Sequence, residues 1–101
     1  MRTITKKEVT RRTAELLNEK ISTTETIVDT VFNTMREIMM NADAEVRIEI
    51  RDFGVFEVKK TNPKPNARNP RTGEVIYVPA RRKTHFKPGK VLKTILKKPI
   101  E

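Results

Sequence analysis

Residues 59–74, KKTNPKPNARNPRTGE, decide the fold. A polar stretch of this length, with almost nothing to bury, is ordinarily an unstructured loop. Its flanks argue otherwise. Upstream, Val46, Ile48 and Ile50 alternate with Glu45, Arg47, Glu49 and Arg51, the period of a strand with one buried face. Asp52-Phe53-Gly54 makes a turn, after which Phe56 and Val58 resume the alternation. Downstream, residues 74–86, EVIYVPARRKTHF, read as a further strand. Between them Asn69-Pro70-Arg71-Thr72-Gly73 has the chemistry of a turn. Pro63 and Pro65 stand two apart, so the amides they lack fall on one side of an extended chain, as suits an outward edge. The reading is a two-stranded β-ribbon projecting from the body, fully ordered only when a partner fills its concave side. Composition alone leaves a mobile loop with incidental prolines as the alternative.

Working outward, Thr5-Lys6-Lys7-Glu8 has the spacing of a capping box, and Val9, Thr13, Leu16 and Leu17 follow at helical intervals. A first helix is expected over about 6–19. Ser22-Thr23-Thr24-Glu25 opens a second in the same way, with a stripe of Ile27, Val28, Val31, Phe32, Met35, Ile38 and Met39 running to about residue 41. That stripe is wide enough to be buried against more than one neighbour. At the far end Pro88 suits the first position of a third helix, with Val91, Leu92, Ile95 and Leu96 on one side and Pro99 as its stop. The class is α+β in the order α-α-β-β-β-α. One domain over 1–101 is expected, with a helical part at about 5–42, strands and arm at about 45–85 and a C-terminal helix at about 88–98.

Charge is distributed unevenly. Between Lys59 and Lys98 there are 13 Lys/Arg against one acid, Glu74, while the rest of the chain carries 9 against 12. A polyanion is the economical partner for such a segment, since each phosphate it neutralises releases condensed counterions. A solvated basic face is the bland alternative, although such faces normally intersperse acids. Other classes find little support. Cysteine is absent, which excludes disulfide and thiolate chemistry and suits a reducing compartment. His85 is the only histidine and has no grouped acids to complete a metal site, and Ser22 is the only serine and better used as a cap. Three glycines make no phosphate-cradling loop. No enzyme, metal, cofactor or small-molecule substrate is expected. No apolar run approaches the roughly 18 residues that span a bilayer, and the N-terminus lacks the apolar core of a secretory signal. Met35, Met39 and Met40 read as packing residues, and Tyr77 alone is no stacking platform for single strands.

Three strings then fall into register: Phe53-Gly54-Val55-Phe56-Glu57-Val58, Ala67-Arg68-Asn69-Pro70-Arg71-Thr72-Gly73-Glu74 and Phe86-Lys87-Pro88-Gly89-Lys90. Together they closely resemble HU and integration host factor, the DNA-bending nucleoid proteins of bacteria, over about Thr5 to Lys98. The resemblance implies an intertwined dimer whose two ribbon arms follow the minor groove of double-stranded DNA. It implies that Pro70 wedges between base pairs, where the residues alone say only a turn proline. Arg68, Asn69, Arg71 and Thr72 would lie in the groove. Lys59, Lys60, Lys64, Arg81, Arg82 and Lys83 would meet phosphates from arm and saddle. Lys6 would do so from the start of the first helix. Lys87 and Lys90 would act beside the third helix's N-terminus, whose free amides also favour an anion. Phe53, Phe56 and Phe86 would pack in the dimer core. The family's setting is cytoplasmic and nucleoid-associated.

The chain departs from the family pattern in three places. It has one residue more between Phe56 and Pro70, with Asn66-Ala67 where a single glycine usually precedes Arg-Asn-Pro, which implies a bulge or shifted register in 61–67. It is slightly extended before Thr5. The link from Asn18 to Ser22 lacks the usual glycine, so Asn18 or Glu19 has to end the first helix. The expected function is sequence-tolerant DNA binding and bending by a homodimer, with a paralogue as second subunit as the variant form. A site-specific bender reading deformability and a structural RNA-binding protein are the rivals.

Overall fold

The computed structural model describes all 101 residues, in two compact units, residues 1–40 and 41–101. The first unit is a helical hairpin of α1 (Lys6–Leu17) and α2 (Ile21–Met40). The helices pack through small residues: Thr10 and Ala14 are buried on α1, Thr24 and Val28 on α2. The two buried hydroxyls are satisfied within their own helices, Thr10 Oγ1 donating to Lys6 O (3.0 Å) and Thr24 Oγ1 to Lys20 O (2.9 Å). The larger apolar side chains are left outside this contact; Leu16, Leu17, Ile27, Val31 and Phe32 are all exposed.

Asn18 ends α1 as expected. It adopts the left-handed conformation (φ 53°, ψ 46°), with Asn18 N–H donating to Glu15 O and Glu19 N–H to Ala14 O. These are the two hydrogen bonds of a Schellman motif, made with asparagine in place of glycine. Neither capping box forms. Thr5 is extended but its hydroxyl caps nothing, Glu8 N–H donating to Thr5 O (3.1 Å), and the Glu8 carboxylate is held by Arg11 (2.7 Å) and Arg12 (3.0 Å). Hydrogen bonds from Arg11 and then Arg12 lower the Glu8 pKa to about 2. Ser22 lies inside α2 and not at its cap, since the helix already begins at Ile21 and Thr24 N–H donates to Lys20 O.

The second unit contains β1 (Val46–Ile50), β2 (Gly54–Lys60), β3 (Lys64–Arg68), β4 (Val75–Val78), β5 (Arg82–Pro88) and α3 (Lys90–Leu96). An antiparallel sheet has the order β1-β2-β5, and β3 and β4 form a separate two-stranded ribbon. The expected order therefore stands with each arm strand interrupted once. The single strand read over 74–86 is two, β4 and β5, separated at Val78-Pro79 where proline has no N–H for a ladder. In the sheet Phe56 lies opposite both Ile48 and Phe86. The rings of Phe53, Phe56 and Phe86 cluster with centroids 4.8–6.2 Å apart.

The third helix starts later than its proline suggests. Pro88 closes β5 opposite Gly54, and Gly89 is the extended N-cap. Gly89 N–H donates to Phe53 O (2.8 Å), tying the helix entry to the β1–β2 turn. The helix ends at Leu96, short of the expected 98, with Pro99 beyond.

Gly54 is demanded by close approach. A Cβ there would stand 2.5 Å from Lys87 O and 2.7 Å from two carbons of the Phe86 ring. Gly54→Ala should lower the unfolding free energy by about 1–3 kcal/mol, the usual penalty of overpacking. Urea denaturation checks it, and an unchanged midpoint would contradict the packing described.

Candidate nucleic-acid interface

Two consecutive rungs of the β2–β5 ladder place like charges opposite one another: Lys59 faces Lys83, and Lys60 faces Arg82. Directly opposed side chains in an antiparallel pair have Cβ atoms about 4.5–5.5 Å apart, where like charges repel. Side chains alternate in direction along a strand, so one rung projects from each side of the sheet. All four side chains are exposed. Arg82 Nη1 also donates to Ala42 O (2.6 Å).

Two carboxylates interrupt this field. The face carrying Lys59 and Lys83 also carries Arg47, Glu49, Val55, Glu57, His85 and Lys87; Glu49 pairs with Arg47 at the exposed edge (3.3 Å), and Glu57 lies opposite both Arg47 and His85. Glu57 is buried (5% exposed), and Lys87 Nζ lies 3.0 Å and Lys59 Nζ 3.9 Å from its oxygens. The Lys87 ammonium beside it lowers the Glu57 pKa, with support from the charges of Lys59 and Arg47 against the opposing effect of burial. Lys87 is thus held in place from within its own sheet.

The ribbon continues the positive strip. Lys64 pairs with Val78, but Ala67 pairs with Ile76 and Arg68 with Val75, so β3 holds one residue more than β4 between these rungs. That is the bulge the extra residue implied, and Pro65 and Asn66 lie within it. One ribbon face carries Arg68, Val75 and Tyr77, and the other Lys64, Ala67, Ile76 and Val78.

The tip is built from its own polar groups. Asn69 N–H donates to Glu74 O and Gly73 N–H to Asn69 O (both 2.8 Å). Asn69 Oδ1 accepts from Arg71 N–H (2.9 Å), and Thr72 Oγ1 from Glu74 N–H (3.3 Å). Gly73 has φ +72°, the left-handed region that glycine tolerates. Pro70 sits exposed in this frame, with Arg68, Arg71 and Thr72 exposed around it.

The remaining expected residues are placed differently. Lys6 is in the helical unit and pairs with Asp29 (2.6 Å). Lys90 is the exposed first residue of α3, and the Gly89 N–H at the helix entry is taken up by Phe53 O. Phe53, Phe56 and Phe86 form one aromatic cluster within the chain, with Phe53 45% exposed. No three His, Cys, Asp or Glu residues come together as a metal site would need, and no helix is long and apolar enough to cross a membrane. The sequence reading missed Arg47 and Glu57. The alternation of β1 and β2 was the signal that puts both on the polar face.

Residues 4–97 match the family described as bacterial DNA-binding protein. The chain belongs to this family. It is similar to integration host factor subunit alpha of Bordetella pertussis, with 36% identity over 97% of this chain and 83% of that one. It is also similar to the DNA-binding protein HU of Thermotoga maritima, 35% identical over 93% of this chain and all of the relative. Among solved structures, an Anabaena HU–DNA cocrystal structure superposes with a TM-score of 0.77 at 24% identity, covering 95% of this chain and 100% of that one. The α+β fold of this bacterial DNA-binding protein is therefore HU-like.

Because its folded pKa lies below the unfolded value, Glu57 contributes stability above the ordinary carboxylate range, and that contribution is lost as pH falls through the folded pKa. Glu57→Gln should lower the melting temperature near neutrality and flatten its decline on acidification. Thermal melts at a series of pH values read this directly; parallel wild-type and variant profiles would refute it.

Proposed function

We propose that the protein binds double-stranded DNA as a homodimer and bends it, with the ribbons in the minor groove and Pro70 as the wedge at each tip. The observation that carries this reading is the pair of like-charged rungs, Lys59–Lys83 and Lys60–Arg82, leading toward a ribbon tipped by Arg68 and Arg71. Opposed cations cost stability in the free protein and are relieved by a polyanion with closely spaced charges. Lys59, Lys60, Lys64, Arg81, Arg82, Lys83, Lys87 and Lys90 serve as phosphate contacts, and Lys6 does so by exchanging Asp29 for a phosphate. Arg68, Asn69, Arg71 and Thr72 occupy the groove. An exposed proline in a loop braced by its neighbours is a suitable wedge, since its ring is apolar and no amide N–H is buried with it. Unstacking a base step costs a few kcal/mol, which the added contacts of a bent duplex offset.

Dimerisation follows from what one chain leaves open. Ala14, Val28 and Val58 are its only buried hydrophobic residues, while Ile27, Val31, Phe32 and Ile38 on α2 and Val91, Ile95 and Leu96 on α3 are exposed. Surfaces this apolar call for a partner, and a second copy supplies the matching ones, with Phe53, Phe56 and Phe86 in the shared core. Both units then belong to one DNA-binding domain, and the role is architectural, on the nucleoid in the cytoplasm, with no reaction catalysed.

For Pro70→Ala, end-to-end energy transfer on a labelled duplex should report a loss of bending, while the salt dependence of affinity stays steep because phosphate contacts are retained. Undiminished bending removes Pro70 from its role. The dimer is tested separately by melting at several protein concentrations: the midpoint should rise with concentration, and a constant midpoint with monomeric sedimentation speaks against a second copy.

A further inference from the structure

The ladder of the β1-β2-β5 sheet ends at Lys60–Arg82 and pairing resumes at Lys64–Val78, leaving a neck of residues 61–63 and 79–81. Pro63 and Pro79 lie in this neck and have no N–H to bridge it. Its two sides are joined through Thr61 and Arg81. Thr61 N–H donates to Arg81 O (2.7 Å), the first half of an ordinary antiparallel rung. The second half is made by a side chain: Arg81 N–H donates to Thr61 Oγ1 (2.8 Å), and that hydroxyl also reaches Arg81 O (3.1 Å). The Thr61 carbonyl is thereby excused from the ladder. The chain can change direction after residue 61 while every donor of the rung stays bonded.

We infer that Thr61 is a positioning residue, whose hydroxyl fixes how the ribbon leaves the sheet and so where each Pro70 tip is presented. Its consequence for DNA rests on the bending reading above; its geometry does not. Two features confine the role to the hydroxyl. Lys60 and Arg82, the adjoining rung, are braced independently by Lys60 N–H to Glu45 Oε2 (3.4 Å) and Arg82 Nη1 to Ala42 O (2.6 Å), so the sheet does not need Thr61 to hold its end. Thr61 is also only part-buried and belongs to neither strand, so replacing it leaves the aromatic cluster intact.

Thr61→Val keeps the shape and the N–H but removes the hydroxyl, whereas Thr61→Ser restores it. The single tyrosine, Tyr77, stands in β4, and there is no tryptophan, so intrinsic fluorescence reports the ribbon alone. In the free protein, time-resolved anisotropy of Tyr77 should show a larger fast component in Thr61→Val and wild-type behaviour in Thr61→Ser. On a labelled duplex the valine variant should bend less at saturation and bind about two- to tenfold more weakly, because mobile arms must be ordered on binding. Serine should rescue both. Thr61→Ala serves in place of valine if the latter fails to fold. Wild-type anisotropy in the hydroxyl-free variants overturns the positioning role, and a mobile ribbon with undiminished bending overturns its link to DNA. Failure of the wild-type protein to bind duplex at all strikes the functional reading instead, while the Tyr77 measurement still decides the clamp.

Discussion

The register of β2 against β5 is the constraint on which the rest depends. With Phe56 opposite Phe86, Ile48, Phe56, Val58 and Phe86 fall on one side of the sheet, which turns polar only toward Thr84, Lys60 and Arg82, and Arg47, Glu57, Lys59, Lys83 and Lys87 fall together on the other. A slip of one residue would reverse the two sets, so burial of the rings specifies where the charges stand. Gly54 fastens the register from one end, since the Phe86 ring lies where its side chain would be. At the other end nothing apolar remains, and the ladder runs out in two cationic rungs and a rung completed by Thr61. Burial in β2 extends through Val58 and stops at Lys59, and that boundary separates the part that holds the fold from the part offered to a partner.

Most of this was legible in the sequence where a residue's chemistry acts locally. Asn18 could be read as a helix end because asparagine tolerates the left-handed backbone that the missing glycine would have supplied. The extra residue at Asn66-Ala67 could be read as a bulge because an unpaired insertion in a ribbon has nowhere else to go. The capping boxes failed because spacing does not reveal competition or where a helix begins: the Glu8 carboxylate had two arginines within reach, and Ser22 fell inside a helix that starts at Ile21. Pro88 misled for a related reason. It is acceptable both at a strand's end and at a helix's start, and the decision came from Gly89 bonding to Phe53, a contact 36 residues away in sequence. The ion pairs of Lys87 with Glu57 and of Lys6 with Asp29 likewise join residues whose proximity only the fold creates.

The single chain leaves two kinds of surface unsatisfied, and they ask for different partners. Apolar residues on α2 and α3 are relieved by a second copy carrying the same surfaces, an association driven by removal of area from water and little affected by salt. Cations on β2, β5 and the ribbon are relieved by a polyanion, an association driven by counterion release and strongly affected by salt. The two requirements are therefore separable. A salt concentration that strips the nucleic acid should leave the hydrophobic association in place, so unbound protein would keep its arms paired for the next encounter.

Charge placement also bears on why such a protein would bend its target instead of lying along it. Lys59 and Lys83 project from one face of the sheet, Lys60 and Arg82 from the other, in adjoining rungs. A straight polyanion lying on one face reaches only one of these pairs. Phosphates can approach both only if the backbone curves round the sheet's end or if its two strands straddle it, and either arrangement draws the duplex toward the ribbon. Smooth bending of a site of 20–30 base pairs costs of order 1–6 kcal/mol, and a wedge that unstacks one step concentrates the deformation where the duplex is most easily kinked. Relief of repulsion in the two cationic rungs acts in the opposite direction, in any complex whose phosphates reach both faces at the sheet's end.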